Sequence, residues 1–76
     1  MRKGAERRVL REVGARIRAA REAAGLSQED AAHRAGIDYK RWQRLEAGQV
    51  NATVRTLVRV SGAVKTDFWS LLAPAR

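Results

Sequence analysis

The sequence predicts an all-α fold of five helices. Apolar residues recur at intervals of three and four along most of the chain, the spacing that places them on one face of a helix. Two glycines, Gly25 and Gly36, are candidate helix ends. Three further residues are candidate N-caps: Ser27, Asp38 and Thr53. No strand-like alternation, internal repeat or low-complexity tract interrupts this pattern.

The length and charge of the chain limit its function. Its 76 residues suffice for one small domain and not for a multidomain enzyme. The 16 Lys and Arg residues outnumber the 8 Asp and Glu residues, and the net charge of +8 favours a polyanionic partner. A generally basic surface that keeps the protein soluble is the alternative interpretation.

The composition favours a cytoplasmic protein without a membrane partner. There is no cysteine, and therefore neither a disulfide framework nor a thiolate site. The apolar runs are only a few residues long, and the Arg-rich start lacks the apolar core of a signal peptide.

An arm and a long helix are predicted at the start of the chain. Residues 1–8 are mostly basic and polar, and form an N-terminal arm that either frays or extends the first helix. Residues 9–76 form the single domain. Its first helix spans Val9 to Ala24, with apolar residues on one side: Leu10, Val13, Ile17, Ala20 and Ala24.

The central segment predicts two short helices joined by a tight turn. The first begins after the N-cap Ser27 and stops at Gly36, and the second begins after Asp38. On the second helix, Trp42 and Leu45 point to the interior. Its other side carries polar residues: Tyr39, Lys40, Gln43 and Arg44. Such a pair has the form of a DNA-reading helix-turn-helix.

Two more helices are predicted after this pair. Residues 47–52 form a loop, and Thr53 caps a fourth helix with four inward-facing residues: Val54, Leu57, Val58 and Val60. The Ser-Gly dipeptide at 61–62 weakens or ends that helix. A last short helix spans residues 68–72 and is closed off by Pro74.

The outer side of the third helix favours binding of nucleic acid. Three of the six residues from Tyr39 to Arg44 are cations and none is an acid, while Tyr39 and Gln43 are able to contact a base or a phosphate. Lys or Arg in a DNA major groove most often binds guanine O6 and N7, and a helix N-terminus favours phosphate.

Two blocks of sequence resemble a known family. Many positions of different chemistry match in register without a gap: Val13-Gly14-x-x-Ile17-Arg18-x-x-Arg21-x-x-x-Gly25-Leu26-Ser27-Gln28-Glu29-x-x-Ala32-x-x-Ala35-Gly36-Ile37 and Leu45-Glu46-x-Gly48-x-x-Asn51-x-Thr53-x-x-x-Leu57. The pattern, over residues 12–72, is similar to that of the Xre/Cro-type helix-turn-helix regulators. This resemblance implies the five-helix domain of phage-type repressors, which reads DNA with helices two and three and binds an operator as a dimer.

The resemblance also implies roles for individual residues. Gln28 corresponds to a residue that contacts a phosphate and braces the base-reading side chains. The predicted readers of base edges are Tyr39, Lys40 and Arg44. Arg41, Gln43 and Asn51 are predicted to contact the DNA backbone and so position the protein on it. Arg21 and Glu46 correspond to a structural ion pair between the first and third helices.

Several positions depart from the family pattern, three of them in the predicted interior. Trp42 stands where an aliphatic residue is usual, and Ala20 and Ala31 stand where Leu is frequent. We expect the indole to fill the space left by the two missing Leu side chains. The alternative is an indole that stacks on a base.

No catalytic or metal-binding constellation is predicted. His33 is the only histidine and is expected to face solvent, without a second nitrogen or thiolate ligand. Glu29 and Asp30 are first-turn residues that favour the helix dipole rather than a catalytic pair. We therefore expect neither a cofactor nor an enzyme.

The predicted function is that of a sequence-specific transcription regulator that binds an inverted-repeat operator in double-stranded DNA as a homodimer. Dimerisation is expected through Phe68, Trp69 and Leu72, because so short a helix cannot bury all its large side chains in its own domain. The main alternative is an adaptor or antitoxin whose partner is another protein. RNA binding ranks third, since few aromatic residues are available for stacking on bases, and catalysis ranks fourth.

Overall fold

The computed structural model describes residues 3–72, which form four α-helices and one 3₁₀ turn and contain no strand. The elements, in chain order, are α1 (Lys3–Ala23), α2 (Gln28–Ala35), α3 (Tyr39–Glu46), α4 (Val54–Ala63) and a closing turn (Phe68–Leu71). The all-α prediction is confirmed. The predicted count of five helices is not confirmed: the described residues form four α-helices, and the last predicted helix is a 3₁₀ turn.

Three helices begin at the side-chain caps that the sequence predicted. In each case the cap oxygen accepts a hydrogen bond from a first-turn backbone N–H, at 3.0 Å for Ser27 and 3.1 Å for Asp38 and Thr53. Between α2 and α3 the chain turns at Gly36, whose φ of 67° lies in the left-handed region. These caps set where the central pair of helices begins and ends.

The first helix is longer than predicted. It begins at Lys3 rather than at Val9, so residues 3–8 are part of α1. Glu6 lies in its first turn, where a carboxylate interacts favourably with the helix dipole. The helix ends at Ala23, before Gly25 adopts a φ of 73°.

Of the four residues of α4 that were predicted to face inward, two are buried and two are exposed. Leu57 and Val60 are buried, but Val54 is 68% exposed and Val58 is 53% exposed. The helix packs against α2 and the closing turn, and these two elements cover only one stripe of it. Val54 and Val58 are four residues apart and lie together on the neighbouring, uncovered stripe.

The fourth helix also continues through the Ser-Gly dipeptide that was expected to weaken or end it. The Ser61 hydroxyl donates to the Val58 carbonyl oxygen at 2.8 Å, so the serine is satisfied within the helix. The chain leaves α4 only after Ala63, where Lys65 takes a φ of 57°.

The closing turn is a single 3₁₀ turn because little holds a longer helix in place. Asp67, at its N-cap position, makes no side-chain capping bond. Of its four residues, Leu71 is the one that is fully buried in the core. Pro74, which was expected to end this helix, lies outside the described residues.

Trp42 lies at the centre of the core. It is 0% exposed and is the largest of the fully buried side chains, which also include Ile17, Val60 and Leu71. Ala31 is buried in the same cluster, and Ala20 packs against it. The indole is therefore inside, as expected, and base stacking by Trp42 is excluded.

Two glycines allow α1 to lie directly on the end of α3. A Cβ added at Gly14 would lie 2.5 Å from the carbonyl oxygens of both Leu45 and Glu46. Gly48 has a φ of 69°, and a Cβ there would lie 2.7 Å from Arg11 Cα. Since backbone atoms cannot move aside cheaply, these contacts fix α1 against α3 and the loop that follows it.

Candidate nucleic-acid interface

The outer face of α3 presents polar and cationic side chains to solvent. All five predicted contact residues on this helix are exposed: Tyr39, Lys40, Arg41, Gln43 and Arg44. The Gln43 amide nitrogen donates to the Tyr39 hydroxyl at 3.2 Å, so these two side chains form a pair. Trp42 and Leu45 are buried on the opposite face. The helix therefore has one buried, packed face and one exposed, polar face, as its sequence predicted.

A depression beside this face gathers two of the predicted base readers. It has a volume of about 470 Å³ and is lined by Lys40, Gln43, Arg44, Ala47 and Gln49. No acidic residue is among them. The depression is thus a cationic hollow along α3, next to the loop that leads to α4.

Behind this face, Glu46 is the centre of a buried polar network. The Arg21 Nε donates to Glu46 Oε2 at 2.5 Å, and Arg21 Nη2 donates to Oε1 at 3.2 Å. The Gln28 amide nitrogen donates to Oε1 at 2.9 Å, and the Trp42 indole nitrogen donates to Oε2 at 2.5 Å. Arg21 also donates to the Leu26 carbonyl oxygen at 2.7 Å. The network joins α1, α2 and α3 through one carboxylate.

The network shifts the pKa of both members of the ion pair. Burial by itself raises the pKa of the Glu46 carboxyl, but the hydrogen bonds from Arg21, Gln28 and Trp42, with the Arg21 charge, together hold that pKa below its ordinary value. The hydrogen bond to Glu46 raises the pKa of the Arg21 guanidinium, against the effect of burial. Both groups are therefore charged at neutral pH.

Gln28, which was expected to contact a phosphate and brace the base-reading side chains, has a partner within the protein. Its amide nitrogen donates to Glu46. Gln28 is the first residue of α2 and is half-buried. In the structure it supports the ion pair behind the exposed face of α3.

Asn51 is exposed and does not line the depression beside α3. It lines a second depression, of about 560 Å³, between α1 and the loop after α3. The structure therefore does not gather the predicted contact residues in one hollow. It distributes them along the outer face of α3 and the adjoining loop.

The residues predicted to form a dimer contact lie in or just after the closing turn. Trp69 is 67% exposed and Leu72 is 42% exposed, whereas Phe68 is half-buried against the core. The two aromatic rings meet edge to face, with centroids 5.0 Å apart and an interplanar angle of 81°. Trp69 and Leu72 thus form an exposed apolar surface.

Three further residues were considered for metal binding or catalysis. His33, Glu29 and Asp30 are all exposed on α2. Within residues 3–72, no group of three side chains of the metal-binding types comes together. None of the helices in that range is long and apolar enough to cross a membrane.

Two residues have roles in this site that the sequence did not predict. The Trp42 indole was treated as an apolar filler, although an N–H donor four residues before a carboxylate on one helix is a readable signal for its bond to Glu46. Gln49 was assigned no role, yet it lines both depressions. Its signal is weaker, because loop geometry is not visible in helical spacing.

Comparison with known proteins assigns this arrangement to a family. Residues 12–67 match the model of a helix-turn-helix domain. The chain belongs to the helix-turn-helix family. The resemblance to Xre/Cro-type regulators is thereby confirmed. A search of the curated protein sequences returned no match.

Solved structures of similar shape are described as controllers, regulators or transcription factors. The restriction-modification controller protein C.AhdI from Aeromonas hydrophila is 32% identical, with a TM-score of 0.79 over 82% of this chain and 94% of that one. The hypothetical transcription factor NHTF from Neisseria is 28% identical, with a TM-score of 0.80 over 90% and 79%. An HTH_3 family regulator from Vibrio cholerae, at 18% identity and a TM-score of 0.81 over 87% and 37%, shares the fold.

Proposed function

We propose that this chain is a cytoplasmic, sequence-specific transcription regulator that binds an inverted-repeat operator in double-stranded DNA as a homodimer. The observation that carries the proposal is the outer face of α3, which is cationic, exposed and free of acids. A helix with such a face fits a DNA major groove, where each base pair presents its own pattern of donors and acceptors. The family of the chain supports the same function.

The buried network supports reading of a sequence rather than loose attraction to DNA. Direct readout requires that side chains meet base edges within hydrogen-bonding distance, so the helix that carries them must be held rigidly. Glu46 ties α3 to both α1 and α2, and the buried Trp42 fixes the rotation of α3 about its axis. In this proposal, Tyr39, Lys40 and Arg44 contact bases.

Phosphate contacts are assigned to the residues around this face. Arg41 and Gln43 flank the proposed readers on α3, and Asn51 lies in the following loop. Gln28 at the start of α2 holds Glu46 and lies where backbone N–H groups favour an anion. These contacts set the position of the domain on DNA and contribute little to base preference.

The exposed apolar surface of the closing turn supports a homodimer. A two-fold axis beside Trp69 and Leu72 would place two copies of α3 on one side of the DNA, about one helical turn or roughly 34 Å apart. The same surface also suits another protein, which is the adaptor or antitoxin alternative. The likeness to a controller protein favours regulation without choosing between a repressor and an activator.

Binding measurements with Arg44→Ala test this function. The wild type is expected to prefer a duplex selected from a random library over random duplex by about 10³-fold or more. Arg44→Ala should lose about 1–3 kcal/mol on the selected site and relax the preference at one base pair. Arg59→Ala, which removes an exposed Arg on α4, is the matched control and should keep that preference.

Two results would contradict the proposal. Equal losses by Arg44→Ala on selected and random duplex would reduce Arg44 to a phosphate contact. A wild type that binds every duplex weakly and without preference would favour the adaptor alternative.

A further inference from the structure

The cationic surface of α3 continues onto the amino-terminal part of α1. The depression beside α3 and the depression between α1 and the following loop share two lining residues, Ala47 and Gln49, so they adjoin. We call the two together the extended groove. Its cations are Lys40 and Arg44 in the first part, and Arg7 and Arg11 in the second.

The position of the second part is fixed by backbone contacts. Gly48 lies so close to Arg11 that a Cβ on the glycine would be 2.7 Å from Arg11 Cα and 2.8 Å from its nitrogen. Arg7 lies four residues earlier on the same helix, which places it one turn further along the same side. The loop and the two arginines are therefore held side by side.

This part of α1 lies outside the domain that defines the family. The family match begins at residue 12, whereas α1 begins at Lys3. The additional turns are helical and line the groove, so they add cations at a defined place. Glu6 is the one acid among the lining residues of the extended groove, and both Arg7 and Arg11 are exposed.

We propose that Arg7 and Arg11, with the amide side chains of Gln49 and Asn51, bind phosphates of the DNA whose bases α3 contacts. The inference rests on the proposed function, because it is DNA held at Lys40 and Arg44 that would continue along the groove. Guanidinium groups bind phosphate oxygens through paired N–H donors, and amide nitrogens add neutral donors. These contacts lengthen the stretch of DNA backbone that the protein binds, beyond the part that residues 12–67 contact. They read no base.

Salt-dependent binding of three single variants tests this contact. Arg7→Gln and Arg11→Gln remove the groove cations, and Arg8→Gln removes a neighbouring exposed cation that does not line the groove. The duplex is one selected from a random library by the wild-type chain. Each groove variant should make the negative slope of log affinity against log salt shallower by about 0.9, and weaken binding about eightfold at roughly 0.1 M salt.

Two further readouts make the test specific. The base preference of the groove variants should equal that of the wild type, which separates them from Arg44→Ala. A duplex with one phosphate replaced by a neutral methylphosphonate should bind the wild type more weakly, and at one such position Arg11→Gln should show no additional loss. Thermal unfolding checks that each variant is folded, and Arg7→Gln carries the test if Arg11→Gln is unstable.

The outcomes separate this contact from the proposed function. If Arg44→Ala loses specificity as expected but Arg7→Gln and Arg11→Gln bind like Arg8→Gln, the groove contact is overturned and the proposed function stands. Equal changes of slope in all three variants would mean general attraction to a basic helix and would also overturn it. If the wild type binds no duplex, both proposals fall.

Discussion

The central pair of helices and the closing turn expose opposite chemistry and are held in different ways. In α3, the buried Trp42 and Glu46 fix one face, and the exposed face is polar and cationic. In the closing turn a single buried residue, Leu71, anchors four residues without a side-chain cap. What that turn and the following residue expose is apolar, namely Trp69 and Leu72.

The difference separates two kinds of recognition. A cationic face on a rigid helix attracts a polyanion and holds its donors in place for a fixed set of acceptors. An exposed aromatic ring gains most when a partner removes it from water, and this burial needs little directional precision. The first surface therefore suits nucleic acid, and the second suits another protein surface, including a second copy of this chain.

The largest expected effect comes from breaking the network that holds the central pair. Glu46→Gln leaves the buried Arg21 charge without its partner, and we expect a loss of about 3–5 kcal/mol in the free energy of unfolding. Glu12→Gln is the control, because Glu12 pairs with Arg16 at 4.0 Å on the surface and should cost less than about 1 kcal/mol. Chemical denaturation measures both. Equal losses in the two variants would mean that the buried ion pair contributes no more to stability than the surface pair.

The same network predicts a dependence of stability on pH. The pKa of Glu46 is lower in the folded protein than its ordinary value of about 4.3, so its contribution is complete above that value and is lost as the pH falls through the folded pKa. The difference in unfolding free energy between the wild type and Glu46→Gln should therefore be constant near neutral pH and narrow below about pH 4.3. A difference that widens in acid would reverse the assigned direction of the shift.

The sequence predicted the central pair well and the end of the chain less well, for physical reasons. Ser27, Gly36 and Asp38 act through local geometry, which a sequence displays directly. Val54 and Val58 were placed inside because helical spacing shows which residues share a face, but not how wide a face the neighbouring helices cover. The bond from Trp42 to Glu46 and the junction of the two depressions depend on tertiary packing.

A smaller effect is expected from changing the volume at the centre of the core. Trp42→Ile removes part of a fully buried side chain and its bond to Glu46, and we expect a loss of about 2–4 kcal/mol. Ala31→Leu in the wild type should overpack the core and cost about 1–3 kcal/mol. In Trp42→Ile the same change should instead restore part of the stability, because it fills the vacated space. Additive losses in the double variant would show that Ala31 and Trp42 do not compensate each other.

The smallest effect on stability, and the sharpest test of the comparison, concerns the closing turn. Trp69 is mostly exposed, so Trp69→Ser should change the unfolding free energy of the monomer by less than about 0.5 kcal/mol while it weakens self-association. Val9→Ser, at an exposed apolar position on α1, is the matched control and should leave self-association unchanged. Sedimentation of the three proteins, free and with operator DNA, measures the outcome. If the wild type stays monomeric at tens of micromolar and binds its operator one copy per site, the dimer is contradicted. The apolar surface would then be left to a different protein partner, since exposure of a tryptophan to water gains nothing by itself.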